Sequence, residues 1–167
     1  MPINPSTNQS SQRFRIDWVL TNELAIGPAP RAERHLQRLK TAGIDAVLSL
    51  CSVEEAQPPQ GLTEHFQCQR IVLPDHRSPE VITLHQLNSS LLALEELRQH
   101  GPVFVHCEAA VERSPLICMG WLIKTHHLSP TESIDYLMQI HQGTNPLPAQ
   151  LTLLHQVNQT PANTAAS

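Results

Sequence analysis

Apolar residues are gathered into short blocks that alternate with longer stretches of three- and four-residue spacing. The blocks are Trp18-Val19-Leu20, Leu24-Ala25-Ile26, residues 46–51 (AVLSLC), residues 69–73 (QRIVL) and residues 103–106 (VFVH). They are of strand length and rich in branched side chains, so each predicts a strand. The VFVH block is apolar almost throughout, as a central strand covered on both faces requires. Between the blocks the period changes to helical. Pro30 predicts a helix start, with Leu36, Leu39 and Ala42 on one stripe and Gly43 as the stop. Ser78-Pro79-Glu80 reads as an N-cap with proline at the first helical position, followed by Val81, Leu84, Leu87, Leu91 and Leu94, with Gly101 closing the segment. Ser129-Pro130-Thr131-Glu132 reads as a capping box for a helix through Ile140. Strands alternating with helices predict a single α/β domain: a central, mostly parallel four- to five-stranded sheet flanked by helices on both faces. Residues 1–13 and 158–167 are poor in apolar residues and are expected to be loose tails, leaving a domain over 14–157.

Composition narrows the function classes. The chain has 167 residues, 40% hydrophobic and 16% charged, enough to bury one core. A net charge of -4 argues against a nucleic-acid binder or an anionic-membrane binder, each of which needs a basic face. No apolar run approaches the roughly 18 residues that span a bilayer. The N-terminus lacks the charged and apolar regions of a secretory signal, so a cytoplasmic location is expected. Cys51, Cys68, Cys107 and Cys118 lie far apart and read as free thiols. The ten histidines are scattered, and the pair His126-His127 has no partner pair at zinc-site spacing, so no metal and no cofactor are expected.

The chemistry concentrates in V-F-V-H-C-E-A-A-V-E-R-S-P, residues 103–115. A cysteine at the carboxyl end of a central parallel strand sits where open α/β sheets bind ligands. Glu108, Ala109, Ala110, Val111 and Glu112 then form a short loop into a helix. Their backbone N–H groups have no strand partner and can turn inward as an anion site at the positive end of that helix. Arg113 returns at the far end of the loop with a planar cation matched to phosphate oxygens. In such surroundings a cysteine pKa falls to roughly 3.5–7.5 from about 8.5, which makes Cys107 a thiolate nucleophile. His106 reads as a buried hydrogen-bonding residue that orders the loop, since a thiolate needs no base.

H-C-x-x-x-x-x-R-S after a buried strand resembles the dual-specificity branch of the protein tyrosine phosphatase superfamily. Residues 23–30 (ELAIGPAP), 43–50 (GIDAVLSL), the run into Leu73-Pro74-Asp75, and 144–151 (TNPLPAQL) are similar to further segments of that family in the same order. The resemblance implies a phosphatase acting through a phosphocysteine, with Asp75 as the general acid and then the base, and Ser114 assisting departure of the sulfur. It places Asn145 and Gln150 near the site. Ala110 departs from the family's usual glycine; a positive φ there costs alanine about 1 kcal/mol. Glu108 and Glu112 stand where relatives favouring inositol phosphates often carry lysines. This points to a phosphorylated protein or peptide as substrate.

Other readings of the same residues stay open. One is a weakly active or inactive phosphate-binding module, another a phosphatase of a non-protein substrate, and a third a sulfur-transfer or arsenate-reducing enzyme. Asp75 also reads as a turn or N-cap residue, Cys107 as a buried structural thiol, and Cys51 as a disulfide partner for it.

Overall fold

The computed structural model describes residues 13–161. The expected tails over 1–12 and 162–167 lie outside the described residues. Residues 158–161 are exposed and irregular, yet the Thr160 N–H donates to the Lys124 carbonyl at 2.8 Å.

Five strands form one sheet: β1 (Asp17–Leu20), β2 (Leu24–Gly27), β3 (Ala46–Ser49), β4 (Gln67–Arg70) and β5 (Val103–His106). Their order across the sheet is β1-β2-β5-β3-β4; β1 runs antiparallel to β2 and the other neighbours are parallel. The strand β5, which leads into Cys107, is therefore central, with every residue buried. Gly27 and Ser49 are both in register with His106, so the three central strands end level and leave a common carboxyl edge for the loop that follows.

Among the described residues there are six helices: α1 (Glu33–Thr41), α2 (Leu62–His65), α3 (Leu84–Arg98), α4 (Arg113–His126), α5 (Pro130–Ile140) and α6 (Pro148–Leu154). Alternation along the strands decides which helix covers which face. Ala25, Val47 and Phe104 point one way, onto Leu36 and Leu39 of α1 and Leu62 of α2. Leu24, Ile26, Leu48, Val103 and Val105 point the other way, onto α3, α4, α5 and α6. Each fully buried leucine contributes roughly 1.5–3 kcal/mol. Helix α4 is buried from Arg113 through Ile123, which explains its apolar composition all round. Gly120 lets α3 approach it: a Cβ there would lie 3.3 Å from both terminal methyls of Leu91. Among the described residues, no helix is long and apolar enough to cross a membrane.

Three expected boundaries move. Helix α3 starts at Leu84, not near Ser78: Thr83 is the cap, accepting from the Gln86 N–H at 3.1 Å while the Gln86 side chain accepts from the Thr83 N–H at 2.9 Å. The Ser78 hydroxyl accepts from the Glu80 N–H within a local turn, and Val81 stands outside the helix, 65% exposed. Strand β4 runs over Gln67–Arg70 and not 69–73, because Gln67 pairs opposite Ala46. Helix α1 starts at Glu33, three residues after Pro30.

Candidate active site

The link from β5 to α4, residues 107–112, follows from its flanks. His106 ends the strand and Arg113 begins the helix. The carbonyls of this loop are tied outward. Glu108 accepts from the Ala29 N–H at 3.1 Å, Ala110 from His141 Nε2 at 2.7 Å, and Val111 from the Asn145 N–H at 2.8 Å. Among the described residues, no protein acceptor meets the N–H groups of residues 108–112. A loop with carbonyls held by groups outside it and amides left unclaimed can serve as a donor ring for an anion. Ala110 adopts φ 58°, the positive φ at which an alanine is strained.

Cys107 is 2% exposed, with Sγ 3.2 Å from Ser114 Oγ. His106 is buried behind it. Its Nδ1 donates to the Cys107 carbonyl at 2.9 Å, which leaves Nε2 to accept from the Ser49 hydroxyl at 2.7 Å. Burial pulls the His106 pKa down to about 4, so the ring is neutral and fixes the loop's first peptide. Burial pushes the Cys51, Cys68 and Cys118 thiols up. All four cysteines are free.

Arg113 is 3% exposed, and its guanidinium is fixed on one side. Nη1 donates to the Leu73 carbonyl at 3.1 Å and to Glu55 Oε2 at 3.2 Å; Nη2 donates to Glu55 Oε1 at 2.8 Å. Its buried Nε has no partner among the described residues. Burial opposes the charge on Arg113, but the Glu55 bonds together with the neighbouring Cys107, Glu55 and Asp75 charges outweigh it and raise its pKa. Burial likewise pushes Glu55 up, and its bonds with Arg113 and Ser52 more than reverse this.

Asp75 stands beside this arginine, with Oδ2 3.8 Å from Arg113 Nη2. Its carboxylate is engaged by its own loop: the Arg77 N–H donates to Oδ1 at 2.9 Å and Arg77 Nε to Oδ2 at 2.7 Å. Burial raises its pKa, but the Arg77 bonds and the Arg113 charge lower it further and hold Asp75 ionised. Arg77 Nη2 also reaches Glu55 at 3.1 Å and Glu108 at 2.7 Å, so one exposed arginine bridges three carboxylates across the mouth. Glu112 accepts from the His76 N–H at 2.7 Å, which pins the Asp75 loop to the loop over residues 107–112. Two groupings, Asp75–His76–Glu112 and Glu55–Asp75–Glu108, are close enough to share a cation, but Arg77 and the His76 amide already occupy them. A cavity of about 280 Å³ opens between Asp75, Arg77, Cys107, Glu108, Val111 and Arg113.

The structure thus gathers Cys107, Glu108, Ala109, Val111, Glu112, Arg113 and Asp75 around one cavity, with Ala110, Ser114 and His106 directly behind it. Asn145 contributes its backbone amide, and its side chain is exposed. Gln150 is buried and caps α6, accepting from the Leu147 N–H at 2.8 Å. Glu55, Arg77, Ser49 and His141 escape sequence reasoning. Ser49 alone had a signal: two strands that end level place it beside His106.

The family described as "Dual specificity phosphatase, catalytic domain" matches residues 24–160. Dual specificity protein phosphatase 1-A of Xenopus laevis is 28% identical over 117 residues, covering 70% of this chain and 30% of that protein. Dual specificity protein phosphatase 2 of Mus musculus is 30% identical over 105 residues, 62% of this chain and 31% of that protein. The chain therefore matches under a third of the length of these relatives. Among solved structures, Tk-PTP in its active form aligns with a TM-score of 0.71 at 23% identity, over 85% of this chain and 95% of that one. PTPMT1 in complex with PI(5)P aligns at 0.73 and 21% identity, over 85% and 93%. These likenesses are ones of fold.

Proposed function

The chain belongs to the dual specificity phosphatase catalytic-domain family, and on that premise we propose that it hydrolyses phosphate monoesters on protein side chains, with Cys107 as nucleophile. One observation carries the reading: a ring whose carbonyls are tethered outward around a buried sulfur, closed by a guanidinium whose Nε is unclaimed. A tetrahedral dianion matches both the donor ring and the charge.

The steps follow. The loop amides and Arg113 take the non-bridging phosphate oxygens, whose charge they stabilise through the transition state. The Cys107 thiolate attacks phosphorus; an S–P bond forms as the P–O ester bond breaks. Asp75 delivers a proton to the departing oxygen. Arg77 must first release the Asp75 carboxylate, and the incoming dianion favours its protonated form. In the second step Asp75 removes a proton from water, the water oxygen attacks phosphorus, and the S–P bond breaks with its electron pair returning to sulfur. The Ser114 hydroxyl, 3.2 Å away, donates to that leaving thiolate.

The carboxylates of Glu108 and Glu112 in the loop disfavour polyanionic substrates and favour a phosphorylated protein side chain over a phosphoinositide. A phosphate-binding module would have no use for the thiol and the acid together. Initial rates on an aryl phosphate, phosphotyrosyl and phosphoseryl peptides and a phosphoinositide test the reading. The unmodified protein should turn over the first two, and Cys107→Ser should abolish turnover while still binding phosphate. Full activity in Cys107→Ser would end the proposal.

A further inference from the structure

Polar ties, and no buried side chain, hold the segment that carries Asp75. Leu73 and Ile82 are buried at its ends, and between them no residue of 74–81 is. A stretch with so little buried apolar surface keeps its place through hydrogen bonds to its neighbours. Two of those neighbours are glutamates of the loop over residues 107–112. Glu112, 8% exposed, accepts from the His76 N–H at 2.7 Å, and its second oxygen lies 3.3 Å from His76 Nδ1. That N–H belongs to the planar peptide unit joining Asp75 to His76, so the bond restrains the backbone of Asp75 itself. Glu108 accepts from Arg77 Nη2 at 2.7 Å, and Glu55, between β3 and α2, accepts from the same nitrogen at 3.1 Å. Glu112 directly precedes α4 but makes no side-chain capping bond to it. Its side chain is committed to the Asp75 segment and not to its own helix.

We propose that Glu108 and Glu112 are positioning residues that clasp the 74–81 segment onto the loop over 107–112 and so hold the Asp75 carboxyl within reach of a leaving oxygen. The inference rests on the proposed acid role of Asp75. The two glutamates grip successive residues, His76 and Arg77, directly after Asp75, so the segment is tied at its backbone by one and at a side chain by the other. The two ties also act at different moments. Arg77 donates through its N–H and its Nε to Asp75 and must let the carboxylate go before a proton can move. Its Nη2 bonds to Glu108 and Glu55 are separate from that pair and keep the segment docked after the release. Carboxylates beside an anion site oppose the anion, so these side chains weaken substrate binding while they place the proton donor. Proton transfer needs a heavy-atom distance of about 2.6–3.2 Å, and a segment free to lift off would spend much of its time beyond that reach.

The test compares kcat/KM on an aryl phosphate whose leaving group needs no proton with kcat/KM on an alkyl phosphate that does. General damage to the cavity lowers both alike; loss of the acid's position lowers the second more and raises the aryl-to-alkyl ratio. Glu112→Ala should raise that ratio about tenfold or more. Glu112→Gln keeps an oxygen for the His76 N–H and should restore most of the parent ratio. In an Asp75→Asn background, Glu112→Ala should leave the ratio where Asp75→Asn alone puts it, because the two changes act through one group. An unchanged ratio in Glu112→Ala, or an equal rise in both backgrounds, would overturn the proposal. If Glu112→Ala does not fold, Glu108→Ala decides: the ratio should again rise, and an unmoved ratio overturns it. The parent and Asp75→Asn proteins separate the two layers. If the parent is active and Asp75→Asn raises the ratio while the glutamate variants do not, only this inference falls. If the parent turns over neither substrate, or Asp75→Asn leaves the ratio unmoved, the reading beneath it falls and takes the inference with it.

Discussion

Replacing Ala110 with glycine sets three terms of similar size against one another. Alanine at φ 58° is strained by about 1–2 kcal/mol relative to glycine, and the substitution removes that strain. It also deletes a methyl that is 2% exposed, worth about 0.8 kcal/mol of burial. Glycine further loosens the unfolded chain by about 0.4–1 kcal/mol. The gain and the losses nearly cancel, so Ala110→Gly should leave stability within about 1 kcal/mol of the parent and Tm within about 4 °C. Ala110→Val changes the balance. A β-branched residue is a genuine outlier at positive φ, and two extra methyl groups would overpack a filled site at a cost of about 1–3 kcal/mol. This variant should lose more than about 2 kcal/mol and, with the loop carbonyl displaced, most of its phosphate affinity. Urea unfolding followed by circular dichroism gives the stabilities, and inhibition of aryl phosphate hydrolysis by inorganic phosphate gives the affinity. A glycine variant stabilised by about 3 kcal/mol, or a valine variant indistinguishable from the parent, would refute the left-handed assignment and the tight packing around it.

Asp75→Asn should slow hydrolysis of alkyl phosphates by roughly 10²–10⁴-fold while sparing aryl phosphates whose leaving group needs no proton; equal losses on both would remove Asp75 from the acid role. Arg77→Ala takes away the bonds that, with the Arg113 charge, outweigh burial and hold Asp75 ionised. Asp75 should then keep its proton to higher pH, and the basic limb of the kcat/KM profile should move upward in pH; an unmoved limb would show that Arg77 does not govern the acid.

Much of this site was legible because its elements are contiguous. Strand, cysteine, loop, arginine and helix occupy residues 103–126 without interruption, so one reading of the chain meets all of them. The proposed acid was reachable because Asp75 follows an apolar run and belongs to a recognisable segment. What could not be read is what arrives from elsewhere. Glu55 reaches Arg113 across 58 positions and His141 reaches Ala110 across 31, and no periodicity marks either. The misplaced start of α3 has a different cause. Ser78-Pro79-Glu80 and Thr83 through Gln86 both read as starts, with their caps five residues apart. The reciprocal pair of bonds at Thr83 satisfies two N–H groups, whereas Ser78 closes only a turn.

The sheet order also constrains how the molecule assembles. The strand that divides the sheet is the last of the five to be synthesised. Until residues 103–106 arrive, the β1–β2 hairpin and the β3–β4 pair have no common neighbour, and each presents a bare inner edge. Nascent chains of this topology wait for a long-range closure before any cooperative core exists. A ribosome that stalls ahead of Val103 would leave two adhesive ribbons, open to pairing with foreign strands. The insertion that joins the halves also delivers Cys107, so the proposed catalytic cleft cannot form before the two halves of the sheet have met.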